Sequence, residues 1–189
     1  AGAQKEIGIK IIKSLTPEVK QGKIKIILSA GIRENVKNYF EENLEKLGLK
    51  GNSHTKRRQG VKGTKINEVS PRYGVGVEII FEKDIEGYFQ KFNLALRKTD
   101  ILWTKPSELS FYTALGLPII IAPPVGSQED FNKKWLLSLG SGTLQENPNY
   151  TVQWLFDYLF SGRLAEAAMQ GFMEAEKLGT YNIKKICLG

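Results

Sequence analysis

The chain has 189 residues, of which 41% are hydrophobic and 25% charged, with one cysteine, Cys187. That is ordinary globular usage and enough length for a sizeable core, and it excludes a disordered or fibrous class, an internal disulfide and a cysteine-based zinc site. The net charge of +7 is local: the window 50–72 holds seven Lys or Arg against one acid, Glu68, so the basic balance marks one patch and not a general nucleic-acid signature.

The first residues, Ala1-Gly2-Ala3-Gln4, read as a loop that leads from a strand into a helix, which marks the chain as a fragment in this reading. Ile7, Ile11, Ile12 and Leu15 then fall at helical spacing, predicting a helix from Gln4 to Leu15 that Pro17 closes. Ile24 to Leu28 is a β-branched run and reads as a strand, with Ser29-Ala30-Gly31 as the turn behind it. Arg33 to Leu47 places Val36, Tyr39, Phe40, Leu44 and Leu47 on one side of a helix, and Gly48 supplies its stop. Residues 50–74 have no periodicity and many Gly, Lys, Arg and Ser residues, predicting a basic loop insertion that includes His54, the sole histidine.

Val75 to Phe81 alternates like a strand. Ile85 to Leu96 is helical, with Ile85, Phe89, Phe92 and Leu96 spaced by 4, 3 and 4. Asp100 to Trp103 is a short strand, Ser107 to Leu115 a helix ended by Gly116, and Pro118 to Ala122 an apolar run of the kind found in buried parallel strands. Phe131 to Leu139, Val152 to Phe160 and Leu164 to Leu178 read as helices. Strands alternating with helices predict one α/β domain over residues 1–189, with a mostly parallel sheet flanked by helices and ligands at the carboxyl ends of the strands. No run of about 18 apolar residues is present, so no membrane-spanning helix is expected.

The segment from Thr104 to Asn132 carries the most chemistry. Ser107 is placed to cap the helix beginning near Glu108, whose first-turn N–H groups suit a phosphate. Glu108 can accept hydrogen bonds from a ribose diol, and Gly126 keeps the next loop open to a ligand. Gln128 and Glu129 present an amide and a pure acceptor, a pairing suited to sugar hydroxyls. Each feature also has a plainer reading: a helix cap, core packing, a surface helix start.

Lys105-Pro106-Ser107-Glu108, Ala114-Leu115-Gly116-Leu117-Pro118, Gln128-Glu129 and Asn132, in this order, resemble the C-terminal domain of GT-B glycosyltransferases. The similarity points to the group containing monogalactosyldiacylglycerol synthases and the peptidoglycan N-acetylglucosaminyltransferase that makes lipid II. It covers roughly residues 75–142 well and 1–47 weakly, and residues 51–74 depart from it. The resemblance implies a Rossmann-like half of a GT-B fold that binds a UDP-sugar. Glu108 would hold the ribose, and Lys105 and the Ser107 to Leu109 amides the diphosphate. Gln128, Glu129 and Asn132 would read the sugar. The opening Gly2-Ala3-Gln4 would approach the diphosphate, and Ile80 or Phe81 would contact the uracil through the backbone.

The resemblance implies a hexosyltransferase as part of a two-domain protein. The family's N-terminal acceptor domain, which usually supplies the base, is expected to lie outside these residues, so the catalytic residues are unassigned and the fragment alone is expected to be inactive. No Asp-x-Asp motif is present, so metal-independent transfer without a cofactor is expected. The expected location is cytoplasmic, with residues 50–72 contacting an anionic membrane surface and no nucleic-acid partner. Two further readings stand beside this one: a UDP-sugar epimerase-type domain, which one loop histidine argues against, and a non-catalytic interaction fragment.

Overall fold

Helix α1 (Lys5–Lys20) carries the first buried stripe, Ile11, Ile12, Leu15 and Val19. In the computed structural model, which describes residues 4–49, 76–107 and 109–188, this helix runs through Pro17 and does not stop at it. Proline removes one backbone donor, but Val19 is wholly buried and Pro17 and Val19 carbonyls still accept from residues beyond the helix. Burial of the last turn outweighs the lost bond.

Strand β1 (Lys25–Gly31) is longer than its β-branched run. It continues through Ser29, Ala30 and Gly31, which the sequence marks as a turn, because Ala30 is fully buried and Gly31 still pairs with Phe81 across an irregularity in the ladder. Helix α2 (Glu34–Lys46) buries Val36, Phe40 and Leu44 as its pattern predicts. Its stop is a Schellman motif: Gly48 has φ of 64°, its N–H donates to the Glu45 carbonyl (2.9 Å), and the Leu49 N–H reaches back to Leu44 (2.9 Å). Leu49 and Leu44 are both buried, supplying the apolar contact that accompanies this motif.

Strand β2 (Gly76–Phe81) pairs with β1 in parallel, and Lys25 and Glu78 form an ion pair across them at 2.5 Å. Helix α3 (Ile85–Leu96) has the predicted bounds and begins with Asp84 accepting from the Gly87 N–H at 2.8 Å. Its packing face is rotated from the one the sequence suggests. Ile85 and Phe89 are exposed, whereas Tyr88 and Phe92 are half-buried and meet as a tilted ring pair, with the Tyr88 hydroxyl hydrogen-bonded to that of Ser29 at 2.8 Å. The first core gathers Ala30, Val36 and Phe40 against Ile9, Leu28, Tyr39, Ile79 and Phe81.

The chain separates into two compact units, Ala1–Arg97 with Pro148–Thr151, and Lys98–Asn147 with Val152–Gly189. Each is mixed α/β, with a short parallel sheet flanked by helices. The second holds strands β3 (Leu102–Thr104), β4 (Ile119–Ile121) and β5 (Gly142–Leu144), in the order β3-β4-β5. The central strand is almost completely buried, as its apolar run predicts. Helix α4 (Leu109–Ala114) begins two residues after Ser107, and α5 (Ser127–Ser138) begins four residues before Phe131. The second core joins Leu109, Ile119, Ile121 and Leu136.

Helices α6 (Thr151–Phe160), α7 (Arg163–Glu174) and α8 (Gly179–Leu188) close the chain. The expected last helix, Leu164 to Leu178, is therefore two helices, with Leu178 at a positive φ of 59° just before the second. Helix α7 meets α4 through Gly171, where a Cβ would lie 2.9 Å from the Thr113 carbonyl oxygen and 3.1 Å from Ser141 Cβ. Because a backbone atom bars the way, Gly171→Ala is expected to destabilise the second unit by about 1–3 kcal/mol despite the better helix propensity of alanine. Urea denaturation of the pair measures this, and an unchanged or raised midpoint would contradict the close α4–α7 approach.

Candidate functional site

The three parallel strands of the second unit bring their carboxyl ends to one rim. The ladder extends one residue beyond the strands there: the Ala122 N–H donates to the Thr104 carbonyl and the Gln145 N–H to the Ile121 carbonyl, each at 2.9 Å. Three segments therefore leave the sheet side by side: 105–107, 122–126 and 145–147. Pro106 is fully buried and anchors the first of them.

Helix α5 grips that first segment at two points. Lys105 Nζ pairs with Glu129 Oε1 at 2.5 Å, and Asn132 Nδ2 donates to the Pro106 and Ser107 carbonyls at 2.9 and 3.0 Å. The second carboxylate oxygen of Glu129 accepts from the Val125 N–H at 2.8 Å, so one side chain ties together the segments after β3 and β4. The bond to Lys105, and then the bond to Val125, hold the Glu129 carboxyl below the ordinary carboxylate range. The depressed value means that the bridge is complete above the ordinary carboxylate pKa and is lost as pH falls through the lowered one.

Among the residues singled out from the sequence, the structure brings Lys105, Ser107, Leu109, Gln128, Glu129 and Asn132 to this part of the second unit. Their states differ. Gln128 and Ser107 are exposed, Lys105 is half-buried and Leu109 is core. The Ser107 N–H donates to the Lys105 carbonyl at 2.8 Å and so closes a local turn. Gln128, Glu129 and Asn132 lie within α5, not in a loop ahead of it, because Gly126 is the N-cap. Gly126 has a φ of −144°, ordinary extended backbone, and a Cβ there would meet open space, so no backbone strain requires glycine.

Gln4, Ile80 and Phe81 belong to the first unit. The Gln4 carbonyl accepts from Ile7 and Gly8 at the start of α1, Ile80 is buried, and Phe81 packs on the first core. Gly2, Ala3, Glu108 and the 50–74 loop with His54 lie outside the described residues.

A polar and aromatic support lies beneath the third segment, and its hydrogen bonds are not legible in the sequence. The Trp103 indole donates to Gln145 Oε1 at 2.9 Å, the Trp154 indole to the Asn147 carbonyl at 3.0 Å, and the Tyr158 hydroxyl to Glu146 Oε1 at 2.7 Å. Trp103 meets Trp154 edge-on, Trp154 meets Tyr158, and the Arg163 guanidinium lies over the Tyr158 ring. The strand that aligns these partners, β5, is three residues long and too short to show a period; the aromatic spacing of Trp154 and Tyr158 is the one signal that points to it.

Burial, and then the hydrogen bond to Glu146, push the Tyr158 hydroxyl up to about 12. The fold therefore favours the neutral phenol: its contribution is complete below the ordinary tyrosine value of 10.0 and is lost as pH rises towards about 12. Absorbance titration at alkaline pH is expected to show a late-ionising tyrosine that Tyr158→Phe removes. Loss of an early-ionising tyrosine instead would show that Tyr158 is not buried against Glu146.

A concavity of about 410 Å³ also exists in this unit, lined by Asp100, Leu117, Pro118, Leu159, Leu164 and Ala168 among others. It sits beside the segments entering β3 and β4, at the end opposite the rim, and brings together one carboxylate and mostly apolar groups. The rim, where α/β sheets place their ligands, is the better candidate. Among the described residues there is no cluster of three His, Cys, Asp or Glu able to hold a metal, and no helix long and apolar enough to cross a membrane.

A family model described as "Domain of unknown function (DUF6938)" matches residues 1–187. No curated protein and no solved structure matches the chain.

Proposed function

We propose that this chain, which belongs to the DUF6938 domain family, binds a nucleotide-diphosphate sugar at the rim of its second unit and serves as the donor-binding part of a glycosyltransferase. The observation that carries this reading is the grip of α5 on the segment after β3. Two separated sequence motifs meet at the carboxyl ends of parallel strands, Glu129 on Lys105 and Asn132 on the Pro106 and Ser107 carbonyls.

The roles divide by chemistry. Lys105 supplies the cation for the diphosphate, and the exposed Ser107, two residues on, offers a hydroxyl. Gln128, exposed on the first turn of α5, offers both a donor and an acceptor to sugar hydroxyls. Asn132 positions the Lys105 segment through its two carbonyls. A departing diphosphate gains charge as the glycosidic bond breaks, so a fixed lysine that binds the leaving group more tightly in the transition state lowers the barrier. The acceptor and its base lie outside this constellation, and Glu108 enters the reading as the ribose ligand on sequence resemblance. In this reading each unit is a part of a Rossmann-like, GT-B-type half.

Isothermal titration calorimetry with UDP, UDP-sugars and unrelated nucleotides tests the proposal. Saturable binding with a preference for UDP and its sugars is expected. A folded sample that takes up none of them, or all nucleotides equally, would contradict it.

A further inference from the structure

We infer that Glu129 is an internal stand-in for the phosphate of the ligand: its carboxylate holds Lys105 and the Val125 N–H until an incoming anion takes both. This rests on the donor-binding reading for the identity of the anion, and on geometry for the exchange itself. Two donors of the type that recognises phosphate, an ammonium at 2.5 Å and a backbone N–H at 2.8 Å, converge from two different segments on one carboxylate. Their placement is what a bridging phosphate oxygen pair would require.

A diphosphate that takes the Val125 N–H competes with Glu129 for a single donor, and on Lys105 it meets the charge of a carboxylate whose side chain is 13% exposed. Both effects favour displacement of the carboxylate. The helix need not move with it, because Asn132 separately fastens α5 to the Pro106 and Ser107 carbonyls. Once displaced, Glu129 sits next to Gln128 on the first turn of α5 as an acceptor for hydroxyls. The exchange would thus couple diphosphate capture to exposure of the sugar-reading carboxylate.

A merely structural Glu129 makes the opposite prediction. Its bond to Val125 would then serve only to start α5, and losing it would loosen the rim and weaken anion binding. Calorimetry on the full chain separates the two, with UDP and inorganic pyrophosphate as probes and Glu129→Gln and Glu129→Ala as variants. Both variants are expected to bind both probes about tenfold tighter than the wild type, since the internal competitor is removed. In the wild type, pyrophosphate is expected to move the Val125 amide resonance in a nitrogen-15 NMR titration.

Unchanged or weaker affinity in the folded variants would overturn the exchange and leave UDP binding by the wild type, and so the donor reading, standing. Tighter pyrophosphate binding with no preference for UDP over other nucleotides would keep the exchange and remove the donor reading. A variant that fails to fold leaves the wild-type titration to decide: an unmoved Val125 resonance at saturation overturns the proposal. Binding of neither probe by any protein overturns both.

Discussion

Leu136→Ala is expected to destabilise the second unit by about 2–5 kcal/mol, the range for a fully buried leucine whose surroundings cannot collapse into the gap. Leu136 is wholly buried and joins Ile119, Ile121 and Leu109 in the core beneath β4. Its shape is matched to a missing side chain: a Cβ on Gly142 would lie 2.6 Å from Leu136 Cδ2, 2.9 Å from Cγ, and 3.0 Å from Ile121 Cδ1. Gly142 does not adopt a left-handed φ, so the absence of a side chain there is a matter of space. Gly142→Ala alone should cost about 1–3 kcal/mol by overpacking, because the fully buried Leu136 and Ile121 must shift to admit the methyl.

The two changes should not add. In the Leu136→Ala background the new methyl fills volume that the leucine has vacated, and alanine restricts the unfolded chain more than glycine does. Gly142→Ala is then expected to become neutral or stabilising, a coupling of about 0.5–3 kcal/mol in the double-mutant cycle. Urea midpoints and slopes for the four proteins measure it. Additive effects would mean that Leu136 does not pack over Gly142.

This packing shows why parts of the fold are legible in the sequence and others are not. The wholly apolar Ile119-Ile120-Ile121 announces a buried strand, and the Val36, Phe40 and Leu44 spacing announces a helix face, because each repeats a pattern several times. Gly48 and Gly116 are legible as stops because a positive φ leaves few alternatives to glycine. By contrast, β5 has only Gly142, Thr143 and Leu144, and its strand nature comes from pairing with β4. Likewise α1 passes through Pro17 because tertiary burial of Val19 overrides a local rule, and α3 turns Tyr88 inward because a hydroxyl partner waits on Ser29.

The candidate site divides in the same way. The residue types were readable: a lysine before proline, an amide beside a carboxylate, an asparagine three positions on. Their commitments were not, because Glu129 meets Lys105 across 24 residues of sequence and Asn132 reaches two carbonyls 25 and 26 residues away. Side chains that appear in sequence as ligands for hydroxyls are, in the fold, also the fastenings between two segments. Nothing in the local pattern distinguishes those two uses.

Lys105→Ala is expected to weaken UDP binding by about ten- to hundredfold, the loss of one charge-assisted contact of about 1.5–3 kcal/mol to the diphosphate. The effect should follow charge and not fold. Lys105 is 35% exposed by side chain, and the rim keeps its other fastening through Asn132, so the variant should unfold at nearly the wild-type urea concentration. Removing the lysine leaves the Glu129 carboxylate, among the described residues, with the Val125 N–H alone, adding repulsion at the place where phosphate must sit. Combining Lys105→Ala with Glu129→Gln should therefore recover part of the lost affinity without reaching the wild type, because the repulsion is removed while the cation remains missing. Uridine, which has no phosphate, should bind the wild type and Lys105→Ala alike. Calorimetry with UDP and uridine across the three proteins decides the matter: equal UDP affinity in wild type and Lys105→Ala would remove Lys105 from the diphosphate site, and with it the chemical reason for placing the donor at this rim.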